Sequence, residues 1–193
     1  KPDEARKRYQ AMIAKEPSNE NLYLALAEFE AGAGANPKES VAVLRRAVQA
    51  NPQAPAARLA LINAELRAGD AKAAYTAAQE ALVAMPSEPG LLAAAGAAQE
   101  AAGEVNQAIA TYNKLASLQP QAPQPLYRLA GLYLRQKDTD RAIETLRRVQ
   151  KIAPREREVV AQLVQVFVAA GRHDEAFKEA RQLQKREPKQ AGG

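Results

Sequence analysis

The sequence predicts an all-α chain, a right-handed alpha-alpha superhelix (a helical solenoid) of about five and a half helix-pair repeats. Three observations predict it. Prolines fall at Pro17, Pro52, Pro86, Pro120, Pro154 and Pro188, one step of 35 residues followed by four of 34. A fixed period of this size marks a solenoid, in which each unit buries its apolar face against its neighbours. Apolar residues recur between the prolines at helical spacing, and a short polar or glycine-containing break splits most periods in two.

The boundaries follow from the prolines. Residues 1–17 are the second helix of a repeat whose first helix is not in the sequence. Five whole repeats follow, at 18–52, 53–86, 87–120, 121–154 and 155–188, and 189–193 begins another. In the half repeat, Ala5, Tyr9, Met12 and Ile13 form the inward stripe. The next repeat places Leu22, Tyr23, Leu26 and Phe29 inward on a helix over Glu20–Ala33. The turn Gly34-Ala35-Asn36-Pro37 absorbs the one extra residue of the 35-residue step. A second helix over Lys38–Ala50 buries Val41, Leu44, Ala47 and Val48.

The later repeats are regular. Pro55, Pro89 and Pro123 lead first helices, where a fixed φ costs nothing. Second helices are predicted over Ala71–Ala84, Val105–Leu118 and Glu175–Arg186. Gly34, Gly69, Gly103 and Gly171 stand where a helix ends in the left-handed conformation, which glycine adopts without strain. Lys137 takes that place in the period ending at Pro154, at a modest cost.

Composition narrows the function. The chain has no cysteine and one histidine, so disulfides, cysteine-ligated zinc and cysteine nucleophiles are excluded. His173 beside Gly171 reads as an exposed turn residue. No glycine loop for phosphate and no zinc-protease helix motif is present. Carboxylates such as Glu28, Glu30, Asp138 and Asp140 read as scattered over turns and surfaces, with no acid–base pair. The expectation is a chain that is not an enzyme and takes no cofactor or metal. No apolar run approaches the roughly 20 residues needed to span a bilayer. Lys1-Pro2-Asp3 reads as the start of a fragment of a longer protein, which leaves localisation signals outside it.

Numbering each unit so that its last proline is position 32, the period ending at Pro154 gives Leu129, Ala130, Tyr133, Ala142, Leu146 and Val149 at positions 7, 8, 11, 20, 24 and 27. The next gives Leu163, Val164, Phe167, Ala176, Ala180 and Leu183. The two before it give Ala95, Gly96, Gln99, Ala108, Tyr112 and Leu115, and Leu61, Ile62, Glu65, Ala74, Ala78 and Ala81. This pattern resembles the tetratricopeptide repeat family over essentially the whole chain. It departs in the polar residues at position 11 of two units and in the absence of tryptophan. The alanine-rich units, the stretch LAGLYLRQKDTDRAIETLRRVQKIAP and the terminal ARQLQKREPKQAGG also resemble the bacterial exosortase-associated PEP-CTERM system tetratricopeptide lipoprotein. That narrower resemblance implies a large protein of the cell envelope or periplasm, near exopolysaccharide and protein-sorting machinery, with a cytoplasmic place left open.

The family resemblance implies a concave groove lined by first helices at positions 2, 5, 9 and 12. Position 5 holds Leu24, Leu59, Ala93, Tyr127 and Ala161, which does not suit the lysine-based carboxylate clamp of the chaperone-adaptor members. An apolar groove suits an extended peptide or an amphipathic helix. Leu59, Asn63, Leu66, Tyr127 and Leu134 are the candidate contacts, and the competing reading is that Leu59 and Leu66 pack on adjacent first helices. Position 20 is the closest approach of the two helices, filled by Ala74, Ala108, Ala142 and Ala176.

Net charge is +5, and residues 121–193 carry 15 basic against 9 acidic side chains. Arg128, Arg135, Arg147, Arg148, Arg155 and Arg157 form the candidate basic surface. It reads as a solvated face or as a surface for an acidic polymer; nucleic acid is not favoured, because no aromatic-studded basic groove accompanies it. Val166 and Leu183 are expected near an open C-terminal end, where they would support end-to-end self-association. The functional expectation is a protein-interaction scaffold. The alternatives are a structural spacer in a longer solenoid, or accessory binding of an acidic polymer.

Overall fold

A computed structural model describes residues 2–32 and 37–186, apart from the side chains of Leu183, Lys185 and Arg186. The Gly34-Ala35-Asn36 turn and residues 187–193 lie outside the described residues. Among the described residues there are eleven helices: α1 (Pro2–Lys15), α2 (Glu20–Gly32), α3 (Pro37–Ala50), α4 (Pro55–Arg67), α5 (Ala71–Ala84), α6 (Pro89–Ala101), α7 (Val105–Leu118), α8 (Gln124–Arg135), α9 (Thr139–Ile152), α10 (Arg157–Ala169) and α11 (His173–Arg186). Helices α5 and α7 have the bounds the sequence predicts. The last helix starts two residues early, at His173, which is exposed.

The turns carry the regularity. Gly69, Gly103 and Gly171 have φ of 76°, 81° and 71°. Lys137 has φ 62° and is the one non-glycine residue at positive φ among those described. At each of these turns the next backbone N–H reaches back to a carbonyl five residues earlier. The pairs are Asp70 to Glu65 at 3.0 Å, Glu104 to Gln99 at 2.8 Å, Asp138 to Tyr133 at 2.9 Å and Arg172 to Phe167 at 2.8 Å. This wide bond closes the last turn of the first helix and satisfies a carbonyl that would otherwise lack a partner. Two second helices are then opened by side chains. Asp70 Oδ1 accepts from Ala73 N at 2.9 Å and Asp138 Oδ1 from Arg141 N at 3.1 Å.

The chain divides within α7 into two compact units, residues 1–111 and 112–193. In the first unit each of α1 to α5 packs on its successor, and the first helices α2, α4 and α6 also meet. One buried cluster joins Ile62 and Leu91 to Ala74, Ala78, Ala81, Ala94, Ala95 and Ala98. Another holds Ile13, Tyr23, Leu26, Ala47, Ala54 and Ala57. Met12, expected inward, is instead 48% exposed, because Ile13 takes the buried place in α1 and Tyr9 packs beside it. In the second unit α8 packs on α9, α9 on α10 and α10 on α11, around buried Leu126, Leu129, Leu146, Val149, Leu163 and Phe167. The position 20 alanines are buried in both units, with Ala74, Ala108 and Ala142 fully so. A larger side chain there would hold the paired helices apart.

Candidate functional site

The candidate surface is the row of first-helix residues at positions 5, 9 and 12 of each repeat. In the first unit, Leu59, Asn63 and Leu66 lie on one side of α4 and are half-buried. Leu59 and Leu66 pack against the cluster that holds Leu91 and Ala94 of α6. Gly90 of α6 lies beside Leu59: a Cβ built on it would sit 3.6 Å from Leu59 Cδ2, an ordinary contact distance. Leu59 therefore reaches the next first helix, and Leu66 packs on the cluster that α4, α5 and α6 share.

In the second unit, Tyr127 and Leu134 share a side of α8, with Gly131 exposed between them. Leu134 is 40% exposed, and Val168 at the matching position of α10 is 50% exposed. Tyr127 is half-buried, and its hydroxyl donates to Glu156 Oε2 at 2.6 Å, just ahead of α10. Burial, then the bond to the Glu156 carboxylate, holds the phenol well above its usual pKa. Tyr127 is thus a neutral donor tied to the next repeat. The rest of its ring edges a row in which exposed Leu134 and Val168 stand among exposed Gln124, Glu158 and Gln165.

The candidate basic residues divide. Arg128, Arg135, Arg148, Arg155 and Arg157 are exposed. Arg147 is placed otherwise: it pairs with Glu179 at 2.6 Å and lies 5.6 Å from the centre of the Phe167 ring. Arg172 covers Phe167 too, at 5.0 Å, so this buried ring has a guanidinium on each of two contacts. Val166 is buried rather than open, and the Leu183 side chain lies outside the described residues.

Several buried carboxylates were not legible. Glu30, read as a surface group, is 3% exposed and accepts from Arg6 at 2.6 and 2.7 Å. The Arg6 bond holds its carboxyl below the usual range. Glu65 is equally buried and meets Arg45 at 2.9 Å. In these two pairs an arginine on a second helix reaches a glutamate on the next repeat's first helix. The signal that could have found them is the recurrence of a polar residue at position 11, where the pattern wants an aromatic. Gln99 fills the same place and is also buried.

Among the described residues no group of three or more histidine, cysteine, aspartate or glutamate side chains could hold a metal ion. No described helix is long and apolar enough to cross a membrane.

Paired helices of this length, closed by left-handed turns at a 34-residue period and joined through alanine, define a helix-pair repeat protein. The tetratricopeptide repeat family matches residues 30–89, 99–164 and 133–192, and the chain belongs to it. A search of curated proteins found no match. Among solved structures, a MamA protein is similar at 19% identity, over 89% of this chain and 93% of its own, with a TM-score of 0.76. MamA from Desulfovibrio magneticus RS-1 is 18% identical over 90% of this chain and 97% of its own, with a TM-score of 0.74. YrrB, described as a TPR protein with an unusual peptide-binding site, is 13% identical over 94% of this chain and 93% of its own, with a TM-score of 0.70. At such identity these likenesses establish the fold: all-α, a tetratricopeptide solenoid of about five and a half repeats.

Proposed function

We propose that this chain is a non-catalytic protein-interaction scaffold that holds a peptide or helical segment against its first helices. The observation that carries the reading is the α8 and α10 row. Leu134 and Val168 are large apolar side chains left 40% and 50% exposed at matching positions of successive first helices. An extended or helical segment would bury such a row, with alternate side chains or one helix face supplying the contacts. Tyr127, already tied to Glu156, offers a pre-ordered aromatic edge beside it. The fold likeness to YrrB supports a peptide ligand by analogy. Placement in a bacterial envelope, beside exopolysaccharide machinery, rests on the sequence resemblance to the PEP-CTERM lipoprotein.

The test is capture from a bacterial envelope extract by the wild type and by a Tyr127→Glu/Leu134→Glu variant that keeps its helical circular dichroism. A partner held by the first and lost by the second supports the groove. Equal capture by both, or none, favours a spacer within a longer solenoid.

The exposed arginines between Arg128 and Arg157 favour a second reading, accessory binding of an acidic polymer. Retention on heparin that falls steeply with salt, and falls further in an Arg148→Ala/Arg155→Ala variant, would support it.

A further inference from the structure

Second helices meet the following repeat along one edge, at positions 21 and 25. Val41, at position 21, packs on the cluster that holds Leu61 and Ala64 of the next first helix, α4. Tyr75 and Ile109 are half-buried at that position, and Ile143 is buried. Position 25 is an arginine in three units, Arg45, Arg147 and Arg181. Arg45 donates to Glu65 of α4 at 2.9 Å, and Arg147 lies 5.6 Å from the centre of the Phe167 ring of α10. Both arginines thus reach position 11 of the next first helix. Helix α11 repeats the edge with Phe177 and Arg181, and there it is bare. Phe177 is 61% exposed, and Lys178 and Arg181 beside it are exposed too.

The chemistry of the bare edge is specific. Arg181 sits 4.6 Å from the centre of the Phe177 ring, one helical turn away on the same side of α11. A guanidinium on a ring still has N–H donors for an acceptor. Among the described residues no carboxylate meets Arg181. Asp174, Phe177, Lys178, Arg181 and Gln182 line a shallow recess of about 370 Å³. Its two cations against one carboxylate favour an acidic occupant. A second copy has no such acidic edge to give. Glu30 and Glu65, the glutamates at position 11, are each 3% exposed and paired with arginine within their own chain.

We propose that the Phe177–Arg181 edge of α11 docks an acidic amphipathic helix of a partner polypeptide. An aliphatic residue of that helix lies on Phe177, in the part Leu61 plays beside Val41. A glutamate four residues on receives Arg181, as Glu65 receives Arg45. The ring and the cation together ask for an aliphatic residue and a carboxylate one turn apart on one helix face. This surface belongs to a second helix, so it is independent of the first-helix row at Leu134 and Val168.

The test uses as probe a capped synthetic peptide of residues 18–32, an acidic helix-forming sequence with Leu26 and Glu30 at positions 7 and 11. Binding is followed by the amide NMR shifts of Phe177, Lys178, Arg181 and Gln182. Saturable shifts are expected. Glu30→Lys in the peptide, or Arg181→Glu in the chain, weakens affinity by about fivefold or more, and combining the two restores it. Phe177→Ala also weakens it, at unchanged melting temperature, because the ring is exposed. No saturable shift, equal affinity for both peptides, or no restoration in the double reversal overturns the proposal. Sedimentation that shows a dimer of the chain, lost in Phe177→Glu, makes a second copy the occupant and overturns it as well.

Discussion

Arg147 and Glu179 meet at 2.6 Å across two successive repeats, and the glutamate is 2% exposed while the arginine is 37% exposed. Gln150 adds a bond to the same carboxylate at 3.1 Å. Removing the arginine would leave a buried charge with one weak partner. Arg147→Ala is expected to cost on the order of 3 kcal/mol. Arg148→Ala, at an exposed neighbour, should stay within about 0.5 kcal/mol. Urea denaturation of both variants checks this, and equal losses would make Arg147 a surface residue after all.

The alanine contacts give a second expectation. Ala142 is fully buried where α8 meets α9, and Ala110 is exposed on α7. Ala142→Leu overpacks its contact and should cost about 1–3 kcal/mol, read as a clear fall in melting temperature. Ala110→Leu should leave the melting temperature nearly unchanged.

Lys137 offers a gain. It holds φ 62° where the other described turns have glycine. A left-handed conformation costs an ordinary residue roughly 1–2 kcal/mol. Lys137→Gly should therefore raise stability by about 1 kcal/mol. Gly103→Ala should lower it by a similar amount, since nothing lies within 4 Å of a Cβ there and only the backbone objects. Denaturant midpoints of the two variants should move in opposite directions.

The pair of Glu30 with Arg6 predicts a response to acid. The hydrogen bond from Arg6 lowers the Glu30 carboxyl below its ordinary 4.5. The unfolded chain then takes up the proton first as pH falls. The stabilisation is present above about 4.5 and is lost as pH drops through the lower native value. Between neutral pH and pH about 3, Glu30→Gln should lose less stability than the wild type. Parallel curves from the two proteins would contradict the assignment.

The helices were legible because prolines, turn glycines and apolar spacing act within one repeat. The bounds of α5 and α7 follow from such local signals alone. The buried ion pairs were not legible, because their partners sit in different repeats. Arg6 and Glu30 are 24 residues apart, and Arg45 and Glu65 are 20. Within either helix each looks like one more charge on a wet face. Arg147 was read that way for the same reason. The row at Tyr127 and Leu134 was visible as apolar residues at groove positions. That Leu59 meets α6 depends on how two first helices from different repeats are set against each other, which no local signal carries.

The wide turn bond reaches the carbonyl of position 11, and so it is indifferent to the side chain carried there. Glu65, Gln99, Tyr133 and Phe167 all accept it. Helix closure is thereby written in the main chain, while the side chain at the same residue is left to set what each joint between repeats contains: a charge pair, an amide or a ring. A module built this way can be duplicated and then diversified at one position without relearning its turn. The succession along this chain, from ionic joints at Glu30 and Glu65 through the amide of Gln99 to the rings of Tyr133 and Phe167, is the record such a process would leave.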